Sequence, residues 1–172
     1  MLDSKPLLIE TDFPVINRVP LQTLQVNMGY LCNLSCSHCH VNAGPRRTEL
    51  LSLENTELIL QILEKYQLHC LDLTGGAPEM NPHFRSLVMG ARKLGVQVID
   101  RCNLSILQQP GYEDMAEFLA EQGVSVVASL PCYLEDNVNA QRGNGVFADS
   151  IDALHKLNRL GYGHQSDLSL DL

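Results

Sequence analysis

The chain has 172 residues and a hydrophobic content of 45%, enough for one packed domain or part of a larger one. Its 12 Lys/Arg against 20 Asp/Glu leave a net charge of −8, with no basic run, which argues against a nucleic-acid partner. No stretch approaches the about 20 apolar residues of a membrane span, and residues 1–19 hold no apolar signal segment. The expectation is a cytoplasmic protein without a membrane partner. Its 6 cysteines then fit a reducing compartment and metal ligation rather than a disulfide framework.

Residues 1–20 carry Pro6, Pro14 and Pro20 without a sustained period, and read as a surface arm anchored by Phe13, Val15 and Ile16. The core is expected over 21–172. Leu21–Met28 alternates as a strand does and runs into a loop, Tyr30–Pro45. Residues 40–51 are a linker. Ser52 then caps a helix over 53–66, with Glu54 in its first turn and Leu58, Ile59, Ile62, Leu63 and Tyr66 at helical spacing. Cys70–Leu73 is a short apolar strand, followed by Thr74–Glu79. Asn81 reads as the cap of a second helix, with Pro82 in its first position, a core stripe of Phe84, Leu87, Val88, Ala91 and Leu94, and Gly95 as its stop. Val96–Ile99 is a third strand and Glu113–Gln122 a short third helix with Met115, Phe118 and Leu119 inward. Val124–Leu130 is a fourth strand. A long loop from Pro131 to Gly145 leads to a fourth helix over 147–160, with Ile151, Leu154, Leu157 and Leu160 on one face and Gly161 as its stop. Leu168–Leu172 begins a fifth strand. Strands alternating with helices of this length imply an α/β fold with a parallel sheet.

The chemistry concentrates in the loop after the first strand, where Cys32, Cys36 and Cys39 stand in the spacing C-x3-C-x2-C. Three thiols make no disulfide set, and zinc usually takes four ligands as two separated pairs. A cubane iron–sulfur cluster also takes four ligands, so three from the loop leave one iron open to an outside ligand. A zinc site completed by His38 or His40, or buried structural cysteines, are the alternatives. Gly75 and Gly76 follow the second strand. Paired glycines let backbone approach a ligand closely; their carbonyls can accept from an ammonium group, and Glu79 can add charge. A plain turn is the plainer reading. Arg101 and Asn103 follow the third strand, Ser129 ends the fourth, and Arg142 lies further on; a turn brace for Asn103 and a solvated loop charge for Arg142 stay open. Cys102 and Cys132 fall just past strand ends, at the expected mouth, where thiolates suit a soft electrophile or metal; Cys70 starts a strand and reads as core.

The cysteine loop and the Gly75-Gly76-Ala77-Pro78-Glu79 segment resemble those of the radical S-adenosylmethionine (radical SAM) superfamily. That resemblance implies an open (βα)6 barrel, of which five strands fall in this chain, leaving a partial barrel that is incomplete towards the C-terminus. It implies a 4Fe-4S cluster held by Cys32, Cys36 and Cys39, and SAM as ligand of the open iron. Reduction by an electron donor then releases a 5′-deoxyadenosyl radical. The superfamily usually has an aromatic residue before the third cysteine; here it is His38, whose backbone is the expected adenine contact. Gly75, Gly76, Pro78 and Glu79 are expected at the methionyl amino group, Ser129 at the ribose or carboxylate and Arg142 at the carboxylate, with Asn103 also among the cofactor-binding candidates. The segments TLQVNMGYLCNLSCSHCHVNAGPRR, LDLTGGAPEMNPHFR, VIDRCNLSIL and VASLPCYLEDNVNAQRGNGVF together are similar to the arsenosugar-biosynthesis radical SAM family, over most of residues 20–163. This implies transfer of 5′-deoxyadenosyl to methylated trivalent arsenic, with Cys102 and Cys132 as candidate arsenic thiols. A radical SAM maturase of a peptide or carbohydrate, and a non-catalytic zinc-binding module, are the alternatives.

Overall fold

The computed structural model describes residues 16–172. Phe13 and Val15, expected to anchor an arm, lie outside the described residues. Ile16 is 77% exposed.

Five parallel strands form one sheet in sequence order: β1 (Thr23–Asn27), β2 (Cys70–Thr74), β3 (Gln97–Asp100), β4 (Ser125–Val127) and β5 (Leu170–Asp171). The connections are helical: α1 (Leu53–Tyr66), α2 (Phe84–Lys93), α3 (Met115–Glu121), α4 (Glu135–Arg142) and α5 (Val146–Arg159), with 3₁₀ turns over Pro78–Met80 and Leu104–Gln108. The order and the parallel sense agree with the expected part of a barrel. None of the described helices is long and apolar enough to cross a membrane.

Side chains alternate across the sheet, so each strand serves two compartments. Val26, Leu71, Leu73, Val98 and Val126 face the helices and build the core with Phe84, Leu87, Val88, Leu104, Ile106, Leu119 and Leu157. The intervening residues, Gln25, Asp72, Thr74, Arg101 and Val127, occupy the opposite face. That face is polar, which a strand buried on both sides would not tolerate.

The helices follow their local chemistry, with some departures. Ser52 caps α1, its side chain accepting from the Asn55 N–H at 3.3 Å, and Gln67 ends the helix in left-handed conformation. Only Thr56, Ile59 and Leu63 of α1 are buried; Leu58 and Tyr66 are exposed, so the apolar stripe is narrower than its spacing implied. Asn81 does not cap α2, which begins at Phe84. Its buried side chain instead donates to the carbonyls of Met28 at 2.8 Å and Leu51 at 3.0 Å, and accepts from the His83 N–H at 2.8 Å. Leu94 lies past the end of α2 and is exposed. β4 has three residues rather than seven: Ala128 and Leu130 continue as coil. The long loop before α5 contains α4. The buried face of α5 is Val146, Ser150, Ala153 and Leu157, with Ile151, Leu154 and Leu160 only half-buried at its margins.

Candidate cluster and cofactor site

A cavity of about 570 Å³ lies over the polar face at the C-terminal ends of the strands. Cys32, Cys36, Cys39, His38 and His40 form one wall; Gly75, Gly76, Asn103, Ser129 and Arg142 line the remainder with Gln25, Thr74 and Arg101. The loop, the glycines and the residues after β3 and β4 are thus brought together as the sequence implied, at the end of a parallel sheet where ligands bind.

The cysteine loop closes on itself. The Cys32 N–H donates to the Gly44 carbonyl at 3.3 Å, and the Gly44 N–H to the Tyr30 carbonyl at 3.0 Å. Within it, sulfur atoms accept hydrogen bonds: Cys39 from the Ala43 N–H at 3.3 Å, and Cys32 from the Leu34 N–H at 3.5 Å and the Asn103 amide at 3.6 Å. Burial pushes the Cys32 thiol up, and the Leu34 N–H opposes this. A thiolate there needs a positive partner such as iron. Tetrahedral zinc holds sulfurs about 3.8 Å apart. Among the described residues, the cysteines of this loop form no set, with each other or with His38 or His40, whose ligand atoms all fall within 4.8 Å. The three thiols line one cavity together, and a set of three thiolates fits a cluster that leaves one iron open.

Gly75 and Gly76 are required by chain packing. Gly75 has φ of +137°, and a Cβ there would meet the Gly29 carbonyl oxygen at 2.6 Å; one on Gly76 would meet the Leu31 carbonyl oxygen at 2.3 Å. Their backbone runs against the cysteine loop, with the Gly76 N–H bonded to Gly29 O and the Ala77 N–H to Leu31 O, both at 2.9 Å.

Asn103 is a hub. It donates to Asn33 Oδ1 at 2.7 Å and accepts from Ser105 Oγ at 3.2 Å and Arg142 Nη2 at 3.0 Å. Arg142 is no solvated loop charge. It ends α4, is 7% exposed, and its Nε has no partner among the described residues. The Gln141 carbonyl accepts from the Ser37 N–H at 2.9 Å, which ties α4 to the cysteine loop.

Four expected positions need correction. Glu79 and Pro78 do not line the cavity. The residue directly after the paired glycines is Ala77, and the 3₁₀ turn carries Pro78 and Glu79 into the interior, with Glu79 3% exposed. Burial lifts its carboxyl to about 6. Cys102 is fully buried: one residue past the cavity-lining Arg101, strand alternation turns it to the helix side of the sheet. Cys132 sits half-exposed on the loop before α4, next to Pro131 of the cavity wall but not lining the cavity itself. The Asn137 amide and the Leu134 N–H, each 3.4 Å from its sulfur, hold that thiol below its usual range.

Beneath the cavity-lining Gln25 and Arg101 lies the buried Asp72, which no local motif marks. Asp72 accepts from Arg101 Nε at 2.8 Å and Nη2 at 2.9 Å, and from Gln25 Nε2 at 2.8 Å. Strand alternation across β1, β2 and β3 is the signal that places these three on one face.

The Radical SAM superfamily model matches residues 26–169. The mycofactocin maturase MftC of Mycobacterium ulcerans (strain Agy99) is 33% identical over 133 residues, covering 77% of this chain and 35% of that protein. A probable GTP 3′,8-cyclase of Saccharolobus solfataricus is 30% identical over 136 residues, covering 78% of this chain and 43% of that protein. The chain thus spans well under half the length of these relatives. In fold it is similar to Streptococcus suis SuiB bound to S-adenosylmethionine, with a TM-score of 0.68, 18% identity, and 83% of this chain and 32% of that chain covered. It is also similar to a tagged form of anSMEcpe with bound AdoMet, with a TM-score of 0.67, 21% identity, and 83% and 41% covered. The superfamily uses a 4Fe-4S cluster and S-adenosylmethionine. With 144 consecutive positions from 26 to 169 matched, the chain belongs to the Radical SAM superfamily.

Proposed function

We propose that this chain is the cluster- and cofactor-binding part of a radical SAM enzyme that transfers 5′-deoxyadenosyl to a methylated trivalent arsenic species. The observation that carries the enzymatic part is one cavity onto which Cys32, Cys36, Cys39, Gly75, Gly76, Asn103, Ser129 and Arg142 all open. When bound, the cluster and SAM supply a carbon-centred radical after one-electron reduction by a donor protein or small reductant. The chain's own residues bind and orient. The three thiolates hold three irons. The Gly75–Gly76 carbonyls accept from the methionyl ammonium, and the His38 backbone meets the adenine. Arg142 lines the cavity, and its guanidinium is the group that meets the carboxylate. Asn103 holds both Arg142 and Cys32, so it registers cofactor against cluster.

The arsenic part rests on the motif resemblance and on Cys132, an acidified thiol beside the cavity wall, since trivalent arsenic is thiophilic. Cys102 faces the other side of the sheet and is not assigned to arsenic. A second reading, maturation of a peptide, is favoured by the similarity to the mycofactocin maturase. The thiols favour a reducing compartment, the cytoplasm.

The test is anaerobic incubation of the full-length, cluster-loaded protein with SAM, a reductant and either methylated arsenite or candidate peptides, followed by mass analysis. An adenosylated arsenic product, lost in Cys132→Ser while SAM cleavage persists, is expected. Turnover of peptide alone supports the maturase reading instead, and full arsenic turnover by Cys132→Ser removes the thiol from the reaction.

A further inference from the structure

Behind the cofactor cavity, on the helix side of the sheet, stand three chemically active side chains that the cavity does not use. Glu79 comes from the 3₁₀ turn after β2, Asp100 ends β3, and Cys102 follows two residues later. The alternation that sends Arg101 to the cavity sends Asp100 and Cys102 away from it. Their exposures are 3%, 0% and 0%. One ligand atom from each lies within 4.8 Å of the other two.

These groups lack the partners that buried carboxylates require. Among the described residues, neither oxygen of Glu79 and neither of Asp100 has a hydrogen-bond partner, and all four are out of contact with solvent. Among the described residues no salt bridge reaches them, although the Arg142 charge acts on the Cys102 thiol. Arg142 points at Asn103, and Arg85 is bonded to Asp114 at 2.7 Å and lies over the Phe118 ring at 4.6 Å. A dry interior tolerates carboxylates only when they are paired, protonated or metal-bound.

We propose that Glu79, Asp100 and Cys102 form a second metal site, for one divalent cation of the zinc type, with a water in the fourth position. The donor set selects the ion. Zinc takes thiolate and carboxylate together, whereas calcium and magnesium take oxygen alone and copper(I) prefers several sulfurs. Ligand atoms of a tetrahedral zinc site stand about 3.3–3.8 Å apart, inside the observed spread. A separate cavity of about 440 Å³, lined by Glu79, Asn81, Arg85, Tyr112 and Met115, approaches the group from the Glu79 side. Binding releases the proton of the thiol, and of either carboxyl that carries one, to solvent. The ion ties the turn after Gly75–Gly76 to the end of β3, so it braces from behind two segments that line the cofactor cavity. The site does not depend on the identity of the substrate.

Because the thiols of the cysteine loop also take zinc, the test uses cluster-loaded protein, given zinc and then dialysed. One retained zinc per chain is expected, and zinc-edge X-ray absorption should show one sulfur with oxygen neighbours. Glu79→Gln and Cys102→Ser should each lower zinc retention at least tenfold with iron content unchanged. The absorption experiment on the unaltered protein needs no variant to fold. No retained zinc, zinc with two or more sulfurs or with nitrogen neighbours, or wild-type retention by both variants overturns the proposal.

Discussion

Arg142 shows how a single side chain can carry the site's electrostatics. It lines the cavity at the end of α4, and charge-assisted hydrogen bonds contribute about 1.5–3 kcal/mol. Arg142→Gln should therefore weaken SAM binding by about 10- to 100-fold, measured by titration calorimetry on the cluster-loaded protein. Unchanged affinity would remove Arg142 from the cofactor. At Gly76 the expectation is structural. A methyl group would press on the Leu31 carbonyl oxygen, which is backbone, so Gly76→Ala should displace the cysteine loop and lower the iron bound per chain; full iron loading would contradict this. Cys132 gives a pH-dependent readout. The Asn137 amide stabilises its thiolate, so the midpoint of its alkylation rate against pH should lie below that of an ordinary thiol and rise in Asn137→Ala. At this scale the sequence made Cys32, Cys36, Cys39, Gly75 and Gly76 legible, because their spacing lies in one loop or one turn. It placed Cys102 and Glu79 wrongly because burial there depends on strand phase and on a 3₁₀ turn, which local spacing does not reveal.

The elements that hold the site are joined by buried polar side chains rather than by helix propensity. Asn81 binds the carbonyls of Met28 and Leu51, on either side of the cysteine loop, to the start of the α2 segment. Asn81→Ala strands both carbonyls and should cost about 1–3 kcal/mol, read as a lower denaturant midpoint; an unchanged midpoint would show that water replaces the amide. The strand–helix alternation was legible from periodicity, since β2, β3, α1 and α2 carry strong apolar patterns. α4 was not, because it buries only Val138 and Arg142, too little for a stripe. Glu135 and Asp136 in its first turn were the available signal. That omission matters, because α4 turns Arg142 from a loop charge into a cavity wall and carries the Gln141 carbonyl that holds Ser37.

As a whole, the molecule is a five-stranded parallel sheet with its core on one face and a polar floor of Gln25, Asp72 and Arg101 on the other. Covering less than half of its curated relatives, it brings the cysteine loop and the residues at the strand ends onto one cavity. The central claim is that Cys32, Cys36 and Cys39 hold a cluster whose fourth iron is open to SAM. Electron paramagnetic resonance of the anaerobically reconstituted, reduced protein, recorded with and without SAM, tests it most directly. The account predicts a reduced 4Fe-4S signal that shifts when SAM is added, and its loss when any one of the three cysteines is changed to serine. A folded, colourless, zinc-loaded protein, or a cluster signal that SAM leaves unmoved, would contradict it.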